Sequence, residues 1–370
     1  QWGEAKFRFA DDYEVNVYNK DKNILSNSAL IPAFGYNPDD GFKLGIRSIR
    51  TLNGFKRNPF TAQHRFGLGY FFGTKGFYLN YESEFAHIVG NYNLLVGANY
   101  TDPNYGSNFF GIGNETYNPE DELGKDYNRT RISTIGVQAG LQRQSVYGSF
   151  FRYLATFEGI KVEETPDRFI DQFANDALFE RQYFAGLEGT FRYESYDDIL
   201  NPTNGLYFDA TAGTKLNTSN TDNAYGYINS AFEIYNALIR NRKLVLKTHL
   251  NGQFLIGKGY EFYQAAVLGG ETGLRGYRSE RFAGQSAFAA GGDLRYSFDK
   301  FRTKFLPFQI GVFAGYDIGR VWIDDGDSEK WHDSYGGGFW VNGASAINGT
   351  FSLFRGSEGW RFSFGFGFKF

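Results

Sequence analysis

The last eleven residues alternate without a break. Trp360, Phe362, Phe364, Phe366, Phe368 and Phe370 fall on one side of the chain, and Arg361, Ser363, Gly365, Gly367 and Lys369 on the other. A period of two is that of a β-strand, whereas a helix would scatter these rings around its circumference. A wholly aromatic face must then meet an apolar neighbour. Two surroundings satisfy it: the second layer of a soluble sheet, or lipid and the headgroup girdle around a membrane barrel.

The rest of the chain repeats the pattern more loosely. Leu244, Leu246, Leu250, Phe254 and Ile256 alternate with Lys247, His249, Asn251 and Gln253. Similar strands are predicted at 29–37, 41–52, 62–73, 76–87, 91–101, 127–141, 145–163, 182–195, 204–217, 225–239, 286–299, 307–322, 332–343 and 347–355. Together they number about sixteen, an even count that suits a closed bacterial barrel. Taken alternately, the connections sort into long segments (102–126, 164–181 and 257–285) and short turns (near 88–90, 142–144, 240–241 and 344–346). This is the asymmetry between outer loops and periplasmic turns.

Composition agrees. The 40 Phe, 26 Tyr, 5 Trp and 47 Gly against 8 Pro are a strand-forming palette. No apolar run is long enough for a membrane helix, and a mean hydropathy of −0.43 remains compatible with strands that face lipid on one side only. The predicted fold is therefore all-β: an antiparallel transmembrane barrel over 28–370, with 1–27 as a charged periplasmic lead-in or linker. Without Met and with Gln1 first, the chain is expected to be a processed or trimmed product, its secretory signal and any upstream domain lying outside it.

Several function classes drop out. Zero Cys removes disulfides, thiolate metal sites and cysteine nucleophiles, and a net charge of −3 offers no basic field for nucleic acid. His64, His87, His249 and His332 are dispersed, without metal-ligand spacing, so no catalytic residue, metal or cofactor is expected. Asp324 to Glu329 is acidic but lacks the full calcium-loop pattern and reads as a solvated turn.

The informative stretch is Gly269-Gly270-Glu271-Thr272-Gly273-Leu274-Arg275-Gly276-Tyr277, in the long segment after the eleventh strand. Leu274, Arg275, Gly276 and Tyr277 resemble the (V/L)-R-G-(F/Y) signature on the inward-folded loop of the BamA/TamA superfamily. Gly291-Gly292-Asp293-Leu294-Arg295 resembles the acidic motif of the next strand. Phe313 to Gly319 is similar to an F-x-D-x-G strand, with Asp317-x-Gly319 intact and the aromatic spacing altered. Parity independently sets Asp293 opposite Leu294, Tyr296 and Phe298, and Asp317 opposite Val312, Tyr316 and Ile318, so both acids are expected in the lumen as partners of Arg275.

Further similarity runs through Arg278 to Gly284, Asn108 to Thr116 and Asn201 to Gly205. The combination resembles the BamA-like barrels that Bacteroidota carry without POTRA repeats or behind a calcineurin-type metallophosphoesterase. Ser363, Gly365, Phe368 and Phe370 match the terminal β-signal by which assembly machinery recognises its clients; an ordinary aromatic last strand is the plainer alternative.

The resemblance implies an integral outer-membrane protein in contact with lipid and lipopolysaccharide. It assists insertion, assembly or translocation of client barrel proteins through a seam between first and last strands, with accessory outer-membrane subunits as further partners. On this reading few backbone bonds join 360–370 to 29–37, and Gly365 or Gly367 sits where pairing fails. A non-opening anchor or scaffold for a fused or bound periplasmic module, for example a metallophosphoesterase, or a subunit of a larger outer-membrane complex, is the alternative, and a passive pore a third reading, disfavoured by a loop that would plug the lumen.

Overall fold

The computed structural model describes residues 25–368 apart from 55, 56, 58, 146, 147, 173–175, 303, 305, 306, 325, 327 and 344–346. Most of the expected lead-in, Lys369, Phe370 and the turn at 344–346 thus lie outside the described residues.

Sixteen long strands follow one another around a closed antiparallel barrel. They are β1 (Asn27–Asn37), β2 (Gly41–Leu52), β3 (Ala62–Phe71), β4 (Gly76–Val89), β5 (Tyr92–Thr101), β6 (Ile132–Gln144), β7 (Ser149–Val162), β8 (Gln182–Glu194), β9 (Gly205–Asn217), β10 (Ala224–Ala237), β11 (Leu244–Ile256), β12 (Ser286–Ser297), β13 (Pro307–Trp322), β14 (His332–Gly343), β15 (Ile347–Gly356) and β16 (Gly359–Phe368). Pairing of β1 with β16 closes the ring. An even strand number brings the first and last strands to the same rim, which is also the rim of the short turns and therefore periplasmic.

Three expected boundaries move by three residues or more. The sixth strand begins at Ile132 rather than 127, because Arg129–Thr130 pairs instead with Ser107–Asn108 inside the long connection, and Asn128 O accepts the Phe109 amide at 2.8 Å. It runs on to Gln144, through the expected turn at 142–144, so the seventh strand starts at Ser149 instead of 145.

Side-chain parity separates two media. Outward positions are apolar: Leu246, Leu250, Phe254 and Ile256 on β11, and Leu294 and Tyr296 on β12, are exposed. Inward positions are polar and paired across the wall, as in Lys247–Glu233 at 3.0 Å and Arg192–Asp209 at 2.7 Å. Burying the outward rows in hydrocarbon and wetting the inward ones satisfies both sets at once, and ring closure leaves little strand edge unpaired in lipid.

Candidate functional site

Two features stand apart from the regular wall. The first is the 257–285 connection between β11 and β12, which folds back over the lumen-facing side of β11–β15. Residues 266–268 and 282–284 form a small hairpin. Leu268, Leu274, Tyr277 and Phe282 pack there with Ala289 and Val321, which face inward from β12 and β13. The turn between is held by Leu274 N donating to Gly269 O at 2.9 Å and Tyr277 N to Leu274 O at 3.0 Å. Gly273 has φ +108° and lies so near Ala289 that a side chain there would meet its Cβ at 2.5 Å. Gly276 passes against the backbone of Arg355 and Gly356, where a Cβ would stand 2.5 Å from the Gly356 amide nitrogen.

This close approach delivers Arg275 to two acids. Its Nε donates to Asp317 Oδ2 at 2.9 Å, and its Nη2 to Asp317 Oδ1 at 2.6 Å and Asp293 Oδ1 at 2.7 Å. Its backbone amide donates to Asp317 Oδ2 at 3.1 Å, as does Ser334 Oγ at 3.0 Å. The guanidinium lies 4.0 Å over the Phe354 ring. One residue therefore touches β12, β13 and β15, and Asp317, fully buried, holds it with β14 as well. Burial by itself disfavours the charged guanidinium, but the two carboxylates outweigh it and raise its pKa above the ordinary value. Leu274 and Tyr277 flank it, both buried, with Tyr277 Oη 3.1 Å from Ser357 Oγ.

The second feature is the seam. β1 and β16 are matched at three residue pairs, Phe34↔Phe366, Gly35↔Gly365 and Tyr36↔Phe364. Every other neighbouring pair of barrel strands is joined over nine or more, from β14–β15, β4–β5 and β5–β6 upwards. Among the described residues Asn27–Ala33 has no partner on the seam side. Gly365 lies inside the paired stretch and Gly367 beyond it; Gly367 and Phe368 pair only with β15.

Outside, rings cover the joint: Phe34 stacks on Phe366 with centroids 4.4 Å apart, and Phe364 on Phe351 at 5.3 Å. Trp360 and Phe362 also face out, 56% and 43% exposed. Inside lies a cavity of about 700 Å³, walled by Tyr36, Asp40, Lys43, Glu271, Arg361 and Ser363. Ser363 Oγ is 2.7 Å from Ser352 Oγ.

One ion-pair cluster ties the outer end of the seam to the loops. Asp39, in the β1–β2 turn, accepts from Arg278 Nε at 2.7 Å, Ser279 N at 3.0 Å and, across the seam, Arg361 Nη2 at 3.3 Å. Arg278, wholly buried, also donates to Asn108 Oδ1 at 2.8 Å and Lys125 O at 3.0 Å. Burial alone would raise the Asp39 carboxyl; the Arg361 and Arg278 guanidiniums and the Ser279 amide bring it below the usual range. In its neighbour Asp40 burial outweighs the Asn37 amide and the charges of Arg129 and Lys125 and pushes the carboxyl up, as burial does Glu280, which accepts from Ser107 Oγ and Asn108 N at 2.8 Å each.

Sequence reasoning singled out Arg275, Asp293 and Asp317, which the structure brings together, and Ser363 and Gly365, which it places at the seam. Phe370 lies outside the described residues. It passed over Asp39 and Arg361 as a pair. The available signal was an Asn37-Pro38-Asp39-Asp40 turn with two adjacent acids, set against a loop carrying Arg278 and Arg281. Among the described residues no group of three His, Asp or Glu is placed to hold a metal.

The Omp85 superfamily domain model matches residues 65–370. No curated protein matches the chain in sequence. Among solved structures, BamA from Haemophilus ducreyi lacking POTRA domains 1–3 superposes with a TM-score of 0.67 at 16% identity, over 92% of this chain and 70% of that one. CdiB from Escherichia coli gives 0.60 at 11% identity over 92% and 63%, and CdiB from Acinetobacter baumannii 0.58 at 13% over 94% and 60%. The chain thus spans 60 to 70% of the length of these proteins, and the likeness is one of fold.

Proposed function

Because the chain belongs to the Omp85 superfamily and is an integral β-barrel of the outer membrane, we propose that it assists the insertion, assembly or translocation of outer-membrane proteins through the joint between β1 and β16. The observation that carries this reading is the three-pair seam. An unpaired strand edge in hydrocarbon is costly, so a barrel in which Asn27–Ala33 has no seam partner among the described residues offers a template to which an incoming strand adds its own backbone bonds. The client is another outer-membrane barrel chain, and the reading calls for no catalytic group. Arg275, with Asp293 and Asp317, fixes the loop against the β12–β15 wall, so that the lumen beside the seam keeps its shape while the joint parts.

The test is a reversible lock. Tyr36→Cys with Phe364→Cys places two thiols at a matched register pair in a chain that has no cysteine of its own. Oxidation is expected to abolish accelerated folding of a second barrel into vesicles holding the reconstituted protein, and reduction to restore it. Equal activity in the locked and reduced forms would replace the proposal by a barrel that anchors a periplasmic module without opening.

A further inference from the structure

The turn joining β10 to β11 and the connection joining β12 to β13 are neighbours on the periplasmic rim, since β11 and β12 pair along their length. The first carries Arg240, Arg242 and Lys243; the second carries Lys300, Arg302 and Lys304. Three acids share this sector, and each is engaged. Asp197 pairs with Arg242 at 3.3 Å and Asp299 with Lys243 at 2.7 Å, while Asp198 Oδ1 accepts the Leu200 and Asn201 amides at 2.8 and 3.0 Å. Among the described residues no carboxylate lies within 4.0 Å of Arg240, Lys300, Arg302 or Lys304, all of them exposed.

Depth distinguishes this sector from an ordinary solvated turn. The outward apolar rows of β11 and β12, Leu246, Leu294 and Tyr296, run directly into exposed Leu238, Ile239, Phe298 and Phe301 at the rim, and Phe301 stacks on Phe308 with centroids 6.0 Å apart. Apolar side chains that continue the lipid-facing band, with unpaired cations just beyond them, sit at headgroup level, where long basic stems lie along hydrocarbon and their charges reach the phosphates.

We propose that this rim, from β10 to β13, is a binding patch for anionic phospholipid headgroups of the periplasmic leaflet. An acidic protein would match the charge, but the exposed apolar residues continuous with the lipid-facing rows fit a bilayer. The inference stands independently of seam opening.

The test uses the full chain reconstituted in phosphatidylcholine bilayers doped with spin-labelled phosphatidylglycerol or, separately, spin-labelled phosphatidylcholine. The motionally restricted fraction reports the relative association of each lipid. Phosphatidylglycerol is expected to be favoured about threefold or more, each cation near the surface attracting anionic lipid. In Arg240→Gln/Lys300→Gln/Arg302→Gln/Lys304→Gln the ratio should fall close to that of the neutral lipid. If that variant fails to fold, the unaltered protein decides: the preference should be lost in strong salt, which screens exposed charge. Equal association of the two lipids with the unaltered protein, a preference the variant retains, or one that strong salt leaves intact overturns the proposal.

Discussion

The wall from β11 to β14 and the seam between β16 and β1 are built from the same alternating strands, yet they are held by different means. Along the wall, eleven or twelve register pairs join each strand to the next, and a buried Arg275–Asp317 contact clamps the loop onto them. At the seam three pairs remain among the described residues, supplemented by stacked rings outside and one ion pair at the outer end, with a cavity of about 700 Å³ behind. Backbone pairing is the main currency of stability in lipid. A barrel that thins it at one joint concentrates local opening there, while the rest of the ring stays closed.

The contrast can be broken most forcefully on the wall. Arg275→Ala leaves the Asp317 carboxylate buried without its cation, and the expected loss is about 3 kcal/mol of unfolding free energy, read from a urea titration followed by gel mobility. A loss below about 1 kcal/mol would place the wall's strength in its backbone ladder alone.

Next in size is Phe364→Arg, on the lipid side of the seam. Its cost should be about 2–4 kcal/mol near the bilayer midplane and less toward the rim. Full insertion with unchanged stability would sink the assignment of this face to lipid.

Smallest in stability, and most specific to the seam, is Arg361→Gln. Asp39 keeps Arg278, so the loss should be about 1 kcal/mol, but the distance between spin labels across the joint should broaden. Acid should mimic it. The folded Asp39 pKa is depressed, so its contribution is complete above the ordinary carboxylate value near 4 and disappears as pH falls through the lower folded value. Asp40 and Glu280 run the other way: burial raises both, and their ionisation opposes the folded arrangement of the outer loops as pH rises past their ordinary values. A joint whose label distances ignore both acidification and Arg361→Gln is held by its rings, not by charge.

How far the sequence disclosed this arrangement varies with the range of the contacts. β11, β13 and β14 have the boundaries that alternation and flanking turn residues predict, because a strand's two faces are a local property. The inward direction of Asp293 and Asp317 follows from the same parity. Alternation failed at 127–131, where the chain satisfies its backbone within a loop, and at Gln142-Arg143-Gln144, where polar residues still pair at the mouth of the barrel. The Asp39 cluster was illegible for a different reason. Nothing within hydrogen-bonding range along the chain marks its partners, which parity and turn chemistry do not reach.

Those separations bear on how the molecule is made. Asp39 meets Arg278 across 239 positions and Arg361 across 322. Contacts of such span form late, because the chain between must first be ordered for closure to be favourable. The outer cluster therefore lacks its Arg361 member until the final strand has arrived beside the first. An incomplete ring leaves the Asp39 turn joined to the loops through Arg278, and a finished one adds the link across the seam. The turn at Asp39 thus links the outer loops, through one carboxylate, to the chain's last strand.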